Sequence, residues 1–309
     1  TRRLSSAASD VYKRQALASR TSKSPPGSTK AHFLVSSQNT MGAFCWNGVT
    51  GFINAFILDI ATIVSVNNNS FKRIKMAIKS STKNKTMVVT ISSPPVNAFS
   101  SNDLIEMNDL IEKASFDNQI SVIIIENEGK GFSAGADRKE HGLDKEKLEI
   151  INDYLWKLSN AIYNSDVPII CCCDGFVIGA GFFIPSSSDI VLATKDSYFQ
   201  MPGINFDVLV GSAHLGRIIP KQRVREMVFT GERVGVEEIL SYGGISSIHE
   251  DKESMMKRAH EIAAKIVSME RDSIKVLKKI LNSNEPVDVN RAFKKEQQLT
   301  FQNKKNLLD

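Results

Sequence analysis

Apolar and polar positions follow two periods from about residue 84 onward. Residues 87–91 (MVVTI) form a β-branched run that serines and prolines close, and this pattern predicts a strand. Apolar residues then recur at helical spacing over 104–111. The polar run 100–103 precedes them and supplies suitable N-cap side chains, so a helix is predicted to begin there.

The pattern alternates between strands and helices through the middle of the chain. Residues 122–125 and 167–172 are continuous apolar runs that predict buried strands, and the amphipathic segment 144–164 between them predicts a long helix. Residues 190–193 and 198–200 predict two short strands.

Helical periodicity dominates the last third of the chain. It extends over residues 224–229 and 236–240 and continues in the amphipathic run 252–267. Strands interleaved with helices, followed by helices alone, predict an α/β core with a helical C-terminal layer. We therefore expect a core over residues 76–250 and a C-terminal helical region over 251–309.

The composition changes near Met76. Residues 1–75 are rich in Ser, Thr and Asn, lack sustained apolar periodicity and contain ten Lys or Arg against Asp10 and Asp59. This segment is interpreted as a disordered, targeting or artefactual extension, since SSAASDVYKRQ resembles translated adapter sequence and an acid-poor, Ser- and Arg-containing start is typical of a transit peptide.

Charge and cysteine content narrow the functional classes. The formal net charge of +5 arises in the extension, because the remainder has 29 basic and 32 acidic side chains. We therefore expect no nucleic-acid partner. No segment reaches the roughly 18 apolar residues of a membrane span, so no membrane association is expected.

The four cysteines lack metal-ligand or disulfide spacing. A reducing compartment is favoured, whether cytoplasmic, mitochondrial or peroxisomal.

Two Gly-rich loops carry the candidate chemistry. The first covers residues 129–140 (GKGFSAGADRKE) and the second covers 174–181 (DGFVIGAG), and each follows a predicted buried strand. Small residues let a backbone approach a ligand closely and leave its N–H groups open. A carbonyl oxygen that becomes negative during a reaction needs such fixed donors, so the two loops are expected to converge on one oxygen.

These loops resemble the two oxyanion-hole segments of the crotonase, or enoyl-CoA hydratase/isomerase, superfamily. Supporting segments occur in the family's order at 94–98, 187–191 and 229–232. The resemblance implies a crotonase-like spiral of ββα units with a helical C-terminal trimerisation region. It also implies a lyase or isomerase of fatty acid metabolism that acts on an acyl-CoA thioester, is a homotrimer or hexamer and uses no metal or other cofactor.

The resemblance also implies site residues. The backbone N–H groups of Ala136 and Ala180 would form the oxyanion hole. The residues expected to contact the substrate or its coenzyme A are Lys130, Ala134, Asp137, Arg138, Lys139, Gly179, Phe183 and Gly203.

The chain departs from the family pattern at both general acid/base positions. Hydratases of the family use two glutamates, and Phe183 and Gly203 stand at these positions here. Neither side chain can move a proton, so ordinary hydration of an enoyl-CoA through these positions is unsupported.

Three interpretations remain open. The first is enolate chemistry that needs only the hole, such as decarboxylation. The second is a relocated acid/base group, for which His214 is the first candidate because imidazole titrates near neutrality. Further candidates for that role are Asp207, Glu140 and His141. The third is a non-catalytic acyl-CoA binder or trimer partner.

Overall fold

The computed structural model describes residues 77–141, 144–206 and 211–306. The predicted extension 1–75 and the candidate residue Asp207 lie outside these residues. The strands, in chain order, are β1 (Ile78–Lys83), β2 (Thr86–Ile91), β3 (Ala98–Phe99), β4 (Val122–Asn127), β5 (Gly135–Ala136), β6 (Ile169–Cys173), β7 (Phe176–Ile178), β8 (Ile190–Thr194), β9 (Tyr198–Gln200), β10 (Arg233–Gly235) and β11 (Ser247–His249).

Helices follow most of these strands. They are α1 (Ser101–Phe116), α2 (Arg138–His141), α3 (Lys145–Asn164), α4 (Phe183–Ser187), α5 (Ser212–Leu215), α6 (Lys221–Thr230), α7 (Val236–Ser241), α8 (Lys252–Val267), α9 (Arg271–Ser283) and α10 (Val289–Asn306). Two 3-10 helices, Gly179–Phe182 and Gly203–Phe206, complete the described elements.

The main sheet has six strands in the order β1-β2-β4-β6-β8-β11. Only β1 and β2 are antiparallel, and the other neighbours run parallel. Every residue of β4 is buried, as expected where both faces of a parallel sheet are covered.

Successive residues of β4 serve two different cores because side chains alternate across a strand. Ile123 and Ile125 face the larger core with α1 and α3. Val122 and Ile124 face the other side, where Met255 and further residues of α8 pack against the sheet. The C-terminal region thus supplies one covering layer of the same sheet.

Capping residues fix where the helices of the larger core begin. Ser100 accepts a hydrogen bond from the Asp103 N–H while the Asp103 side chain accepts from the Ser100 N–H, which forms a capping box at the start of α1. Asp144 accepts from the N–H groups of Glu146 and Lys147 at the start of α3.

Two small sheets extend from the carboxyl side of the main sheet. One has the order β10-β9-β7, and the other pairs β3 with β5 in parallel. An isolated bridge joins Ser133 to Val177, so the segment leading into β5 also runs beside β7. The small sheets therefore place the two Gly-rich loops side by side.

Helix α9 reverses the usual arrangement of an amphipathic helix. Its polar side faces the protein: Lys278 is buried and donates to Asp189 (2.8 Å), and Arg271 donates to the Ser115 carbonyl (2.7 Å). Its apolar side is exposed within the single chain, and four large residues there are at least half exposed, namely Val276, Leu277, Ile280 and Leu281.

Candidate active site

The two Gly-rich loops are joined by backbone hydrogen bonds. The Ser133 N–H donates to the Phe176 carbonyl (3.1 Å), and the Ile178 N–H donates to the Ser133 carbonyl (2.9 Å). These bonds continue from β7 into the first loop and bring Gly135 against the start of the second. A Cβ atom added to Gly135 would lie 2.9 Å from the Ile178 carbonyl oxygen and 3.1 Å from the Ala180 nitrogen.

The geometry of β5 directs the Ala136 N–H away from β3. Phe99 pairs with Ala136, and its carbonyl accepts from the Asp137 N–H (2.8 Å). In a parallel ladder, the residue between two such bonds turns its own N–H to the opposite side. The N–H of Ala136 is therefore free of the β3 ladder.

The Ala180 N–H lies in the first turn of a 3-10 helix, Gly179–Phe182. Amides in the first turn of a helix have no partner within the helix, so the Ala180 N–H makes no hydrogen bond inside this 3-10 helix. The Ala180 carbonyl, in contrast, accepts from the Phe183 N–H. The structure thus brings together the two segments whose amides were predicted to form the hole. Their role as oxyanion donors stays a prediction.

A buried polar network holds the beginning of the second loop. Asn127, at the end of β4, donates to the Asp174 carbonyl and accepts from the Asp174 N–H, both at 3.1 Å. The Asp174 carboxylate accepts from the Thr194 hydroxyl (2.9 Å), and Ser197 accepts from the Gly175 N–H (2.9 Å). The loop is therefore tied to the carboxyl ends of β4 and β8 and to the residue that precedes β9.

Phe183, where the resemblance leads us to expect the first of the two glutamates, is 2% exposed. Its ring packs edge-on against His214 (5.5 Å between centroids) and Phe293 (4.9 Å), which are 5.3 Å from each other. This aromatic cluster of Phe183, His214 and Phe293 joins α4, α5 and the C-terminal helix α10. The residue that follows the second hole segment is therefore apolar and enclosed by rings.

His214 is fully buried, and neither ring nitrogen has a hydrogen-bond partner among the described residues. Burial lowers its pKa to about 3, and the nearby Arg217 guanidinium acts in the same direction. The ring is consequently neutral at pH 7 and a weak base. Its acid/base role stays a prediction, and this role would require access that the aromatic cluster does not provide in the single chain.

The other acid/base positions differ in what surrounds them. Gly203, where the resemblance leads us to expect the second glutamate, begins a 3-10 helix and is partly exposed. The Glu140 carboxylate accepts from the Ser101 N–H (2.9 Å), so it caps the start of α1. The side chain of His141 lies outside the described part of the chain.

The predicted coenzyme A contacts lie along the first loop. Lys130, Arg138 and Lys139 are exposed, and the Lys139 N–H donates to the Asp137 carboxylate (2.8 Å). The Ala134 N–H donates to the Val96 carbonyl (3.0 Å), which fixes the backbone just before the hole segment. The exposed cations of this loop suit an anionic ligand.

Residues of α10 complete this region, and sequence reasoning missed them. Phe293 belongs to the aromatic cluster, and the Glu296 carboxylate accepts from the N–H groups of Gly211 (2.6 Å) and Ala213 (3.0 Å). Glu296 therefore caps the short helix that bears His214. No local pattern marks either residue, because each partner lies many residues away in the sequence.

A cavity of about 920 Å³ shares Ser212, Ala213 and Glu296 with this region. It is lined by α5, α6 and the segment that leads into α10, including Lys221, Phe229 and Val287, and its lining excludes Ala136 and Ala180. Over the residues that the structure describes, no group of three or more His, Cys, Asp or Glu is arranged to hold a metal. None of the described helices is both long and apolar enough to span a membrane.

Comparison with known proteins identifies the class. The family model described as enoyl-CoA hydratase/isomerase matches residues 81–306, so the chain belongs to the enoyl-CoA hydratase/isomerase family. The fold is therefore the crotonase fold predicted from the two loops. An enoyl-CoA hydratase/isomerase from Xanthobacter autotrophicus shares it with a TM-score of 0.68 and 20% identity, over 73% of this chain and 86% of that one.

Individual relatives share 26–29% of their aligned residues with this chain. A (7aS)-7a-methyl-1,5-dioxo-2,3,5,6,7,7a-hexahydro-1H-indene-carboxyl-CoA hydrolase from Mycobacterium tuberculosis is 29% identical over 74% of this chain and 93% of its own length. A short-chain-enoyl-CoA hydratase from Clostridium acetobutylicum is 28% identical over 68% and 82%. The structure of human enoyl Coenzyme A hydratase domain-containing protein 3 is 26% identical over 72% and 90%, with a TM-score of 0.64.

The close approach at Gly135 predicts a sharp difference between two glycine substitutions. Gly135 and Gly129 have nearly equal positive φ angles of 93° and 91°, but a Cβ at Gly129 meets nothing within 4 Å. Both Gly→Ala changes should cost about 1–2 kcal/mol of backbone strain. Only Gly135→Ala should also weaken binding of butyryl-CoA, by about tenfold or more, because it separates the two hole segments. Calorimetric titration of both variants checks this, and equal affinities would contradict it.

The buried imidazole predicts a pH-dependent stability. The unfolded chain binds a proton at His214 below about pH 6.5, whereas the folded chain does not until about pH 3. Stability should therefore fall as the pH drops through this window, by about 2 kcal/mol between pH 7 and pH 5. His214→Phe should remove that loss in urea unfolding at the two pH values. Phe293→Leu, which alters the same cluster without a titratable group, should keep it. An unchanged pH dependence in His214→Phe would contradict the assignment.

Proposed function

We propose that this chain is an acyl-CoA enzyme that cleaves a carbon–carbon bond at the substrate α-carbon and holds the resulting thioester enolate with the N–H groups of Ala136 and Ala180. The observation that supports it most is the combination of two converging hole segments with an aromatic ring, Phe183, in place of the first glutamate. The hole can bind the enolate oxygen, while no carboxylate at Phe183 or Gly203 can remove an α-proton.

Bond cleavage avoids the need for α-proton removal. When a carboxylate on the α-carbon leaves as carbon dioxide, the electron pair of the broken bond forms the enolate directly. When water adds to a 3-oxo group and the bond between carbons 2 and 3 breaks, a carboxylic acid leaves and the same enolate forms. In both cases a proton from solvent then completes the product. One hole donor typically contributes ~2.7–4 kcal/mol to lowering such a barrier.

The hydrolytic route is supported by the names of two relatives. The proteins from Rhodococcus jostii and Mycobacterium tuberculosis are each described as a hydrolase of a dioxo-hexahydroindene carboxyl-CoA, at 29% identity. A CoA thioester whose ketone lies at carbon 3 would suit this route. Such a reaction needs a group that activates water, and His214 could take this role only if it left its buried place between Phe183 and Phe293. Decarboxylation needs no such group.

Coenzyme A recognition is proposed to use the rim of the first loop. Lys130, Arg138 and Lys139 would contact the adenine and phosphates. The backbones of Ala134, Asp137 and Gly179 would line the thioester, and Phe183 and Gly203 would border the acyl group. The exposed cations and the apolar ring support this division between an anionic handle and an uncharged acyl part.

A non-catalytic acyl-CoA binder is the competing function. The enclosure of Phe183 favours it, because the neighbours that pack against this ring are the rings of His214 and Phe293 and not a carboxylate. A binder and a carbon–carbon lyase share the same hole and rim. They differ only in whether a product forms.

A mass-spectrometric product scan separates these functions. The full chain should convert 3-oxoacyl-CoA to a shortened acyl-CoA and an acid, or a malonyl-type CoA to its decarboxylated product, and should add no water to enoyl-CoA. Gly135→Ala should lower product formation by about 10²–10³-fold, whereas Gly129→Ala should retain most of it. Water gain on enoyl-CoA would refute the argument from Phe183 and Gly203. Tight binding without any product would establish the binder.

The exposed side of α9 supports a homotrimer, or a hexamer of two trimers, built through the C-terminal helices. Val276, Leu277, Ile280 and Leu281 form a continuous apolar strip that a single chain leaves in water. Exposed strips of this kind mark protein interfaces. The polar contacts of Lys278 and Arg271 to the core leave the strip no other direction to face.

Introducing positive charge into that apolar strip should dissociate the assembly. Sedimentation velocity should find the native chain at three or six times the monomer mass, and Leu277→Lys with Ile280→Lys should sediment as a monomer. Lys279→Ser, on the flank of the same helix, should keep the native mass. A monomeric native chain, or an unchanged mass in the double variant, would contradict the proposal.

A further inference from the structure

Ser133 lies at the junction of both hole segments and engages all of its polar groups. Its backbone bonds to Phe176 and Ile178 join the first loop to β7. Its hydroxyl donates to the Asn97 carbonyl (2.7 Å) and accepts from the Gly135 N–H (3.1 Å). The residue is fully buried. Through its backbone and side chain together, Ser133 therefore links the turn at Asn97, the first loop and the strand that leads into the second loop.

The side chain of Ser133 also faces the 3-10 helix that bears Ala180. A Cβ atom added to Gly181 would lie 2.6 Å from the Ser133 Cβ and 2.8 Å from its hydroxyl oxygen. Only glycine at position 181 allows this contact. The hydroxyl is thus packed between Gly135 and Gly181, which are the chain neighbours of the two predicted donors.

Asn97 holds the other end of the link. It is buried with a positive φ of 52°, and its side-chain amide donates to the carbonyls of Glu128 (2.7 Å) and Gly131 (2.8 Å). Its side-chain oxygen accepts from the Ser93 N–H (2.7 Å). The acceptor of the Ser133 hydroxyl is therefore fixed on three sides, which makes it a rigid reference point for the first loop.

From these contacts we infer that Ser133 is a positioning residue that sets the direction of the Ala136 N–H relative to that of Ala180. The Ser133 hydroxyl orients the peptide that ends at the Gly135 nitrogen. Gly135, with its positive φ, then transmits that orientation to the next peptide, which carries the Ala136 N–H. Without the hydroxyl, the Asn97 carbonyl and the Gly135 N–H lose their buried partner, and the peptide can rotate. The inference rests on the proposed oxyanion hole.

The test measures carbonyl polarisation directly and does not require knowledge of the reaction. Butyryl-CoA labelled with ¹³C at the carbonyl is bound to the full chain, and its stretching band is recorded by difference infrared spectroscopy. A hole with two donors should lower the band relative to free butyryl-CoA. Ser133→Ala should keep the dissociation constant within about threefold but lose about half of the band shift, because one donor is misdirected.

Two further variants make the result specific. Ser133→Cys keeps a weak donor and acceptor, so its band shift should fall between those of Ser133→Ala and the native chain. Ser159→Ala removes another buried hydroxyl, which donates to the Leu155 carbonyl within α3 (2.8 Å), and should keep the full shift. On a turned-over substrate, Ser133→Ala should lower kcat about five- to tenfold with KM nearly unchanged.

The outcomes separate the oxyanion-hole proposal from the positioning role of Ser133. If the native chain binds butyryl-CoA without any band shift, the oxyanion hole and the proposed function fail together. If the native chain shows the shift and Ser133→Ala retains it in full, the hole stands and the positioning role is overturned. Should Ser133→Ala fail to fold, a full native shift in Ser133→Cys would overturn it equally. Loss of binding in Ser133→Ala would instead indicate collapse of the loop and would also count against the role.

Discussion

The backbone of Gly135 passes so close to Ile178 and Ala180 that a single methyl group at its Cα would meet both the Ile178 oxygen and the Ala180 nitrogen. Two loops from different parts of the chain can come this close only if both have small residues at the contact and both are held in place by neighbouring strands. The pairing of β5 with β3 holds the first loop, and the bridge from Ser133 to Val177 holds the second against it. The candidate site therefore depends on a backbone contact, which side-chain chemistry alone could not replace.

The main sheet explains why this contact forms where it does. β4 and β6 are parallel neighbours, so their carboxyl ends lie at the same edge of the sheet, and each leads directly into one Gly-rich loop. Asn127 at the end of β4 bonds both the N–H and the carbonyl of Asp174 at the end of β6, which fixes the register of the two exits. The apolar cores on both faces of β4 keep the strands from sliding relative to one another.

Sequence patterns predicted the elements that have strong periodicity and missed those that depend on distant partners. The buried run 122–125 and the amphipathic segment 144–164 correspond to β4 and α3, because core strands and long helices carry their pattern locally. β1 reads IKSSTK and is largely exposed, so it has little apolar pattern to detect. β3 and β5 are two residues long and form only by pairing with each other.

The two glycine loops were recognisable because their backbone conformation requires small residues. The contacts of Phe293 and Glu296 were not, because they join residues far apart in the sequence.

The surroundings of Phe183 do not suit a carboxylate. A carboxylate there would lie among His214 and Phe293, fully enclosed, and desolvation would raise its pKa and favour the uncharged acid. A neutral acid cannot act as the base that hydration requires. The aromatic ring of Phe183, the burial of His214 and the packing of α10 through Phe293 are therefore mutually dependent features. Together they form a buried apolar wall close to the 3-10 helix that bears Ala180.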